Sequence, residues 1–364
     1  MQPHLLKRLW GFVKGPLDGP LMLFLGLIYL LSLFVLYSAS NQSFYRLDDK
    51  FVYTALGLVV MWGLAYVRPQ TVMNFAPPIY VVGVLLLIGV DLFGVIVNGS
   101  QRWLNIGVTR IQPSEIMKIA LPMMLAWYFQ KNELNLRWWH YLVAATLIAA
   151  PGALILKQPD LGTATLIMAS GFFVLFFAGL SWKLIFGGIG LFAASLPIVW
   201  NLMHDYQRRR VLTLIDPTQD PLGDGYHIIQ SMIAIGSGGP WGKGWLNGTQ
   251  THLDYIPERT TDFIFAVYSE EFGLVGNIVL LVLYLLVISR GLMITARAPT
   301  LYGRLIGGAL TLTFFTYAFV NMGMVSGILP VVGVPLPLVS YGGTATLTIL
   351  IAMGMLMSIG SQRR

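Results

Sequence analysis

Apolar residues arrive in this chain in long uninterrupted runs, and ten of them approach the ~20 residues a helix needs to cross about 30 Å of hydrocarbon. They lie near 18–39, 51–67, 75–97, 114–130, 139–156, 161–179, 182–203, 263–289, 303–326 and 341–360. Lipid offers no partner to a bare backbone N–H or C=O, so only helices and closed barrels span it. Continuous rather than alternating runs select helices. Hydrophobic residues make up 56% of the 364 and charged residues 11%, too little charge to cover a soluble fold, where about 25% is usual. The predicted fold class is an all-α polytopic membrane protein of about ten transmembrane helices. A single membrane domain over 1–364 is the simplest partition, since no internal repeat or low-complexity segment divides it.

Basic residues stay on the cytoplasmic side of a membrane. With the amino terminus inside, that side collects Lys7, Arg8, Lys14, Arg68, Lys131, Arg137, Lys183, Arg290, Arg297, Arg304, Arg363 and Arg364, against only Asp18 and Glu133. Both termini are predicted cytoplasmic, and the net charge of +7 is a topology signal rather than a nucleic-acid footprint. The stretch to Ser38-Ala39-Ser40 imitates a signal peptide, but its apolar run is too long and is read as the first span. Without cysteine, disulfides, thiolate metal sites and a Cys nucleophile are excluded. His4, His140, His204, His227 and His252 show no metal-ligand spacing.

Polar residues concentrate in a few connections. Residues 204–262 form a large outward loop between spans seven and eight, longer than structureless loops usually are. Within it, 226–235 places Tyr226, Ile229 and Ile233 on one helical face, the pattern of an interfacial helix on the outer leaflet. Gly239-Pro240-Trp241-Gly242-Lys243-Gly244 imitates a phosphate-binding loop, but Ser237 and Gly244 stand where Gly and Ser or Thr are required. A turn packed on Trp241 and Trp245 is the better reading.

The loop ends at Pro257-Glu258-Arg259-Thr260-Thr261-Asp262-Phe263. Glu258 and Asp262 share a face if a helix starts near Pro257; the plain alternative is that Thr261 or Asp262 caps the helix. Glu270 and Glu271 follow within the span, where a carboxylate costs ~2.5–3.5 kcal/mol and usually has a task. A second cluster runs from Arg102 through Gln112-Pro113-Ser114-Glu115-Ile116-Met117-Lys118, with Glu115 and Lys118 on one face or simply paired at the surface. A third is Gln158-Pro159-Asp160-Leu161-Gly162, a tight turn that capping by Asp160 alone would explain. The last outward loop, 329–343, is uncharged and rich in Pro and Gly, and such backbone at membrane depth is tolerated only where it is buried or lines a cavity.

Those four motifs, Gln112-Pro113-Ser114-Glu115, Gln158-Pro159-Asp160-Leu161-Gly162, Pro257 to Phe263 and Pro335-Leu336-Pro337-Leu338-Val339-Ser340-Tyr341-Gly342-Gly343, resemble the signatures of the SEDS family (shape, elongation, division and sporulation). The likeness spans nearly the whole chain. Residues 329–335 and Gly248-Thr249-Gln250 resemble the rod-shape branch more than the division branch; Thr260 departs from the His of many members. The resemblance implies a GT-C-like glycosyltransferase fold of ten transmembrane helices in the bacterial cytoplasmic (inner) membrane, its active cavity facing outward. It also implies a peptidoglycan glycosyltransferase for cell elongation that polymerises lipid II by inversion into a β-1,4-linked strand, releasing undecaprenyl diphosphate. Its implied partners are lipid II, the growing glycan strand, membrane lipid, a class B penicillin-binding protein and other membrane proteins of the elongation complex.

Asp262 matches the family's essential acid, and a carboxylate there can take the proton of an attacking sugar hydroxyl. Lys118, Glu115, Arg102, Glu258, Asp160, Glu270 and Ser340 are the candidate substrate-binding residues. Cations such as Lys118 and Arg102 would stabilise the departing diphosphate, as would a divalent ion, Mg or Mn, held by Glu258 or Glu115. A flippase would instead carry polar residues along a midplane path, where only Asp91, Glu270 and Glu271 are deep, and a scaffold would leave Asp262 replaceable.

Overall fold

The structure, a computed structural model, describes residues 15–97, 100–105, 107, 110–203, 205–219, 223–253, 255–256 and 258–361. Lys7, Arg8, Lys14, Arg363 and Arg364 of the orientation argument lie outside the described residues, as do His4, His204 and Pro257. Ten long helices fall on the ten apolar runs: α1 (Gly19–Ala39), α2 (Tyr45–Tyr66), α4 (Ala76–Phe93), α5 (Pro113–Lys131), α6 (Trp138–Lys157), α7 (Leu161–Phe177), α8 (Trp182–Leu202), α12 (Ile264–Ala296), α13 (Leu301–Val325) and α14 (Gly343–Ser361). Between them lie the short helices α3 (Pro69–Asn74), α9 (Asp205–Ile215), α10 (Asp224–Gly238) and α11 (Thr249–His252). Six, α1, α4, α6, α12, α13 and α14, are long and apolar enough to cross a membrane by length and composition; α7 and the Trp182–Ile198 part of α8 are shorter apolar helices. The chain is a multi-pass membrane protein.

Helix starts follow the local chemistry. Asp18 caps α1, accepting from Leu21 N at 3.1 Å, and Thr300 caps α13 through Gly303 N at 3.1 Å. Packing is closest where side chains are smallest, the usual means by which helices associate in lipid. On α14, a Cβ at Gly354 would stand 2.6 Å from Met61 O of α2, so the two helices meet backbone to backbone. Because successive long helices run back and forth, one end of the bundle collects the connections at 40–44, 94–112, 158–160, 203–263 and 326–342. The opposite end carries Arg68, Lys131, Arg137, Lys183 and Arg297.

Three expectations need correction. Val95, Ile96 and Val97 do not prolong the third span. They form β1 (Val95–Val97), which pairs antiparallel with β2 (Ser100–Asn105), itself paired with β3 (Arg110–Ile111). Gly94 ends the helix in extended backbone, and three β-branched residues after it favour a strand. The helix in the large loop exists as α10, but it turns Ile228, Ser231 and Ala234 inward against α12 and leaves Ile233 exposed. A buried Ser231 hydroxyl bonded to Val325 O at 2.8 Å is not the contact of a helix lying on lipid. Trp241 is 81% exposed, so the 239–244 turn does not pack on it.

That turn instead plugs a break in α12. At Gly273 the backbone is non-helical (φ 65, ψ −161), which would orphan the groups on either side. Lys243 N and Gly244 N donate to the carbonyls of Glu270 and Glu271 at 3.0 Å each, while Leu274 N and Val275 N donate to Gly239 O at 2.9 Å and Pro240 O at 3.0 Å. Gly242, at φ 80, leaves no room: a Cβ there would stand 2.1 Å from Glu271 O. Gly242→Ala is expected to destabilise by about 2 kcal/mol or more, the cost of left-handed backbone alone being ~1–2 kcal/mol. A thermal melt in detergent reads it.

Candidate active site

Asp262 lies two residues before α12, whose N-cap is Phe263 and receives no side-chain capping bond. Neither Thr261 nor Asp262 caps the helix, which removes the plain reading of both. A start near Pro257 fails too, since α12 begins at Ile264 and the preceding residues form a turn. Thr261 N and Phe263 N donate to Glu258 O at 3.0 and 3.3 Å, and Glu258 sits at φ 50, backbone strain of the kind found at functional sites.

The Asp262 main chain is fixed from α13. Asn321, fully buried, donates through Nδ2 to Asp262 O at 2.8 Å and to Val334 O at 2.7 Å, joining the acid's turn to the Pro-rich loop. Ser340 Oγ donates to Thr261 O at 2.6 Å and accepts from Leu336 N at 2.7 Å. Tyr341 N reaches Thr260 O at 2.8 Å. Lys50, buried on α2, donates to Val339 O at 2.7 Å. The uncharged loop at 329–343 is thus tied down from three helices, and Val334, Leu336, Leu338 and Val339 are buried.

The side chain of Asp262 faces the other motifs. A Cβ on Gly333 would stand 3.4 Å from its Oδ2, and one on Gly162 would stand 2.2 Å from Val332 O, so the start of α7 abuts the Pro-rich loop beside the acid. Asp160 caps α7 through Thr163 N at 3.0 Å and also meets Arg102 Nη1 at 3.5 Å. From β2, Arg102 donates through Nη2 to Pro159 O at 3.1 Å. Burial pushes the half-buried Asp262 carboxyl up to about 6, Glu258 pushes the same way, Arg102 pulls it back and Asp160 pushes it up again. Four charged groups from three separate motifs therefore act on one another.

Lys118 and Glu115 pair on α5 at 2.5 Å, buried rather than at the surface. Thr348 of α14 donates to the other Glu115 oxygen at 3.0 Å. Lys118 stands 5.1 Å from the Tyr317 ring centre, and the charge of Asp160 reaches Tyr317, linking this pair to the Arg102–Asp160 group. Glu270 is not brought to the site. It is wholly buried and accepts from Lys243 Nζ at 2.7 Å, Thr249 Oγ1 at 3.0 Å and Gln250 N at 3.0 Å, which makes it the anchor of the large loop. Asp91 is paired with Lys157 at 2.5 Å, and Glu271 is bonded by Ser38.

A divalent ion finds poor ligands here. Both oxygens of Glu115 are already engaged, and among the described residues no three His, Cys, Asp or Glu side chains group as metal ligands. Glu258 and Glu115 do not make a chelate, and no step below runs through a metal. Asn321, Tyr317, Thr348 and Lys50 escaped sequence reasoning; a lone amide at 321 in an apolar span was the signal that could have found the first.

A membrane helix bundle that gathers a raised carboxylate, two fixed cations and a buried Pro-rich loop at one end defines a class of membrane proteins with a polar site set against lipid. The chain belongs to the SEDS family: the family profile described as cell cycle protein, covering FtsW, RodA and SpoVE, matches residues 19–364. It is 52% identical over 359 residues to the peptidoglycan glycosyltransferase MrdB of Escherichia coli, covering 98% of this chain and 96% of that one. It is 33% identical to the stage V sporulation protein E of Bacillus subtilis, over 93% of this chain and 95% of that protein. A chain of the solved structure described as "Structural coordination of polymerization and crosslinking by a peptidoglycan synthase complex" superposes with a TM-score of 0.82 at 34% identity, covering 95% of this chain and 98% of that one. The rod shape determining protein RodA of Thermus thermophilus superposes with a TM-score of 0.71 at 29% identity, over 95% and 97% of the two chains.

Proposed function

We propose that this protein is a peptidoglycan glycosyltransferase that joins lipid II units into glycan strands, with Asp262 as the general base. The observation that carries the reading is the half-buried Asp262 carboxyl, raised to about 6, beside Arg102 at one end of a membrane bundle. A base works best when its pKa lies near the working pH. The acceptor sugar hydroxyl gives its proton to Asp262 as its oxygen bonds to the donor's anomeric carbon. The bond from that carbon to the diphosphate oxygen breaks, and the diphosphate leaves with the electron pair. One displacement inverts the α-linked donor to a β-linked product. Arg102 and Lys118, held in fixed positions, lower the energy of the charge that builds on the leaving group. The lipid tail stays in the bilayer while sugars enter at the site end, which this reading sets outward, with both termini in the cytoplasm.

The similarity to a chain from a polymerisation and crosslinking complex supports a crosslinking partner, a class B penicillin-binding protein, in the bacterial inner membrane. The test is to supply the purified protein with lipid II and look for polymer on a gel. Polymer is expected; movement of lipid II across vesicles without polymer would make the protein a flippase.

The rate should also follow the base. A raised carboxyl is protonated, and idle, below its pKa, so initial rate is expected to fall as pH drops through about 6, ten-fold per unit on the acid side. A rate flat from pH 7 to pH 5 would remove a carboxylate of this kind from the chemistry.

A further inference from the structure

Beside the acid's turn lies a second polar space that the reaction does not use. It is a cavity of about 420 Å³ lined by Ser40, Ser43, Tyr45, Arg46, Glu258 and Arg259, among others. Asp262, Arg102, Asp160 and Lys118 are not in its wall. Two connections build it, the one between α1 and α2 and the one that ends in Asp262, so it opens at the same end of the bundle as the acid.

Its two guanidinium groups are held in place by neutral oxygens. Arg259 donates through Nε to Ala39 O at 2.8 Å and through Nη1 to Thr251 O at 2.6 Å. Arg46 donates to Thr260 Oγ1 and lies 5.7 Å from the Tyr341 ring centre. Bonds of this kind orient a guanidinium without cancelling its charge, and a planar fork fixed in this way suits a carboxylate. Glu258 supplies the opposite sign in the same wall, and the Ser40, Ser43 and Tyr45 hydroxyls add neutral donors and acceptors. Two cations, one anion and several hydroxyls around a few hundred Å³ match a ligand that carries carboxylates and an ammonium together. A bare diphosphate would meet Glu258 with repulsion. Glu258 also joins the cavity to the chemistry, because its charge acts on Asp262.

We propose that this cavity is a peptide subsite, taking a short acidic peptide with a free amine of the kind attached to each glycan unit, so that the strand is gripped beside the reacting sugar. The source of the peptide rests on the glycosyltransferase reading; the binding itself does not.

The test is binding of a synthetic pentapeptide, Ala-γ-Glu-Lys-Ala-Ala, to the full chain in detergent, followed by calorimetry. Arg46→Gln keeps a donor for Thr260 and removes the charge. Ser43→Trp fills the mouth from an exposed position and spares the turn. Each is expected to weaken binding about ten-fold, the effect of one charged hydrogen bond, as is amidation of the peptide's carboxylates. Inorganic diphosphate is expected not to compete. Peptide binding that is absent from the wild type, or unchanged by both substitutions, overturns the proposal. Displacement by diphosphate that depends on Arg46 overturns it as well, in favour of a phosphate site. Peptide binding without glycan polymer would sink the glycosyltransferase reading and leave the subsite standing, whereas polymer without peptide binding would do the reverse.

Discussion

Asp262→Asn is expected to lower the polymerisation rate by at least ~10², the contribution of a positioned general base, and to leave the fold intact. Asn keeps the size and the main chain of the residue, so the Asn321 bonds to Asp262 O and Val334 O are untouched. Stability should rise slightly at pH 7. The carboxyl's folded pKa lies above its ordinary value, which means that the fold disfavours the ionised form, and this cost is present at neutral pH and absent only below about 4. A neutral amide removes it. Loss of activity with an unchanged or higher melting temperature separates lost chemistry from lost structure, and the acid limb of the rate should disappear in whatever activity remains.

Lys118→Met is the second large change, and it acts on two readouts. Removing one partner of a buried pair leaves Glu115 uncompensated, which typically costs about 3–5 kcal/mol. Its remaining hydrogen bond from Thr348 softens the loss. If Lys118 also steadies the diphosphate, the rate should fall by roughly 10² to 10³, the usual effect of deleting one fixed electrostatic group. The double substitution Lys118→Met with Glu115→Met separates the two. Replacing a buried pair by apolar residues is often neutral, so the melting temperature should recover while activity does not. Recovery of both would make the pair a structural strut.

How much of this was legible in the sequence follows from where the information sits. The ten helices announced themselves because each must cover the hydrocarbon by itself, so its pattern is local. Asp160 at a helix cap and Glu115 three residues before Lys118 were equally local, and the structure holds both. What the sequence hid is contact between distant segments. Glu270 looked like a membrane carboxylate in search of a substrate, yet its partners are Lys243 and Thr249 in a loop over twenty residues away. Hydropathy carried α12 through Gly273 without a sign of the break, because the groups freed there are satisfied by a turn from elsewhere in the chain. The β2 strand that aims Arg102 at Asp160 was invisible as well, being too short for its alternation to stand out. Asn321 carried a signal, a single amide in an apolar span, but its target is set by tertiary structure.

The account stands on proton removal by Asp262, and a single-turnover experiment isolates it from binding and release. Purified wild type and Asp262→Asn would each be loaded to saturation with lipid II, and the first glycosidic bond timed. The prediction is equal affinity for lipid II in both, with the bond formed at least ~10² more slowly in the variant. Equal rates of bond formation in the two proteins would contradict it.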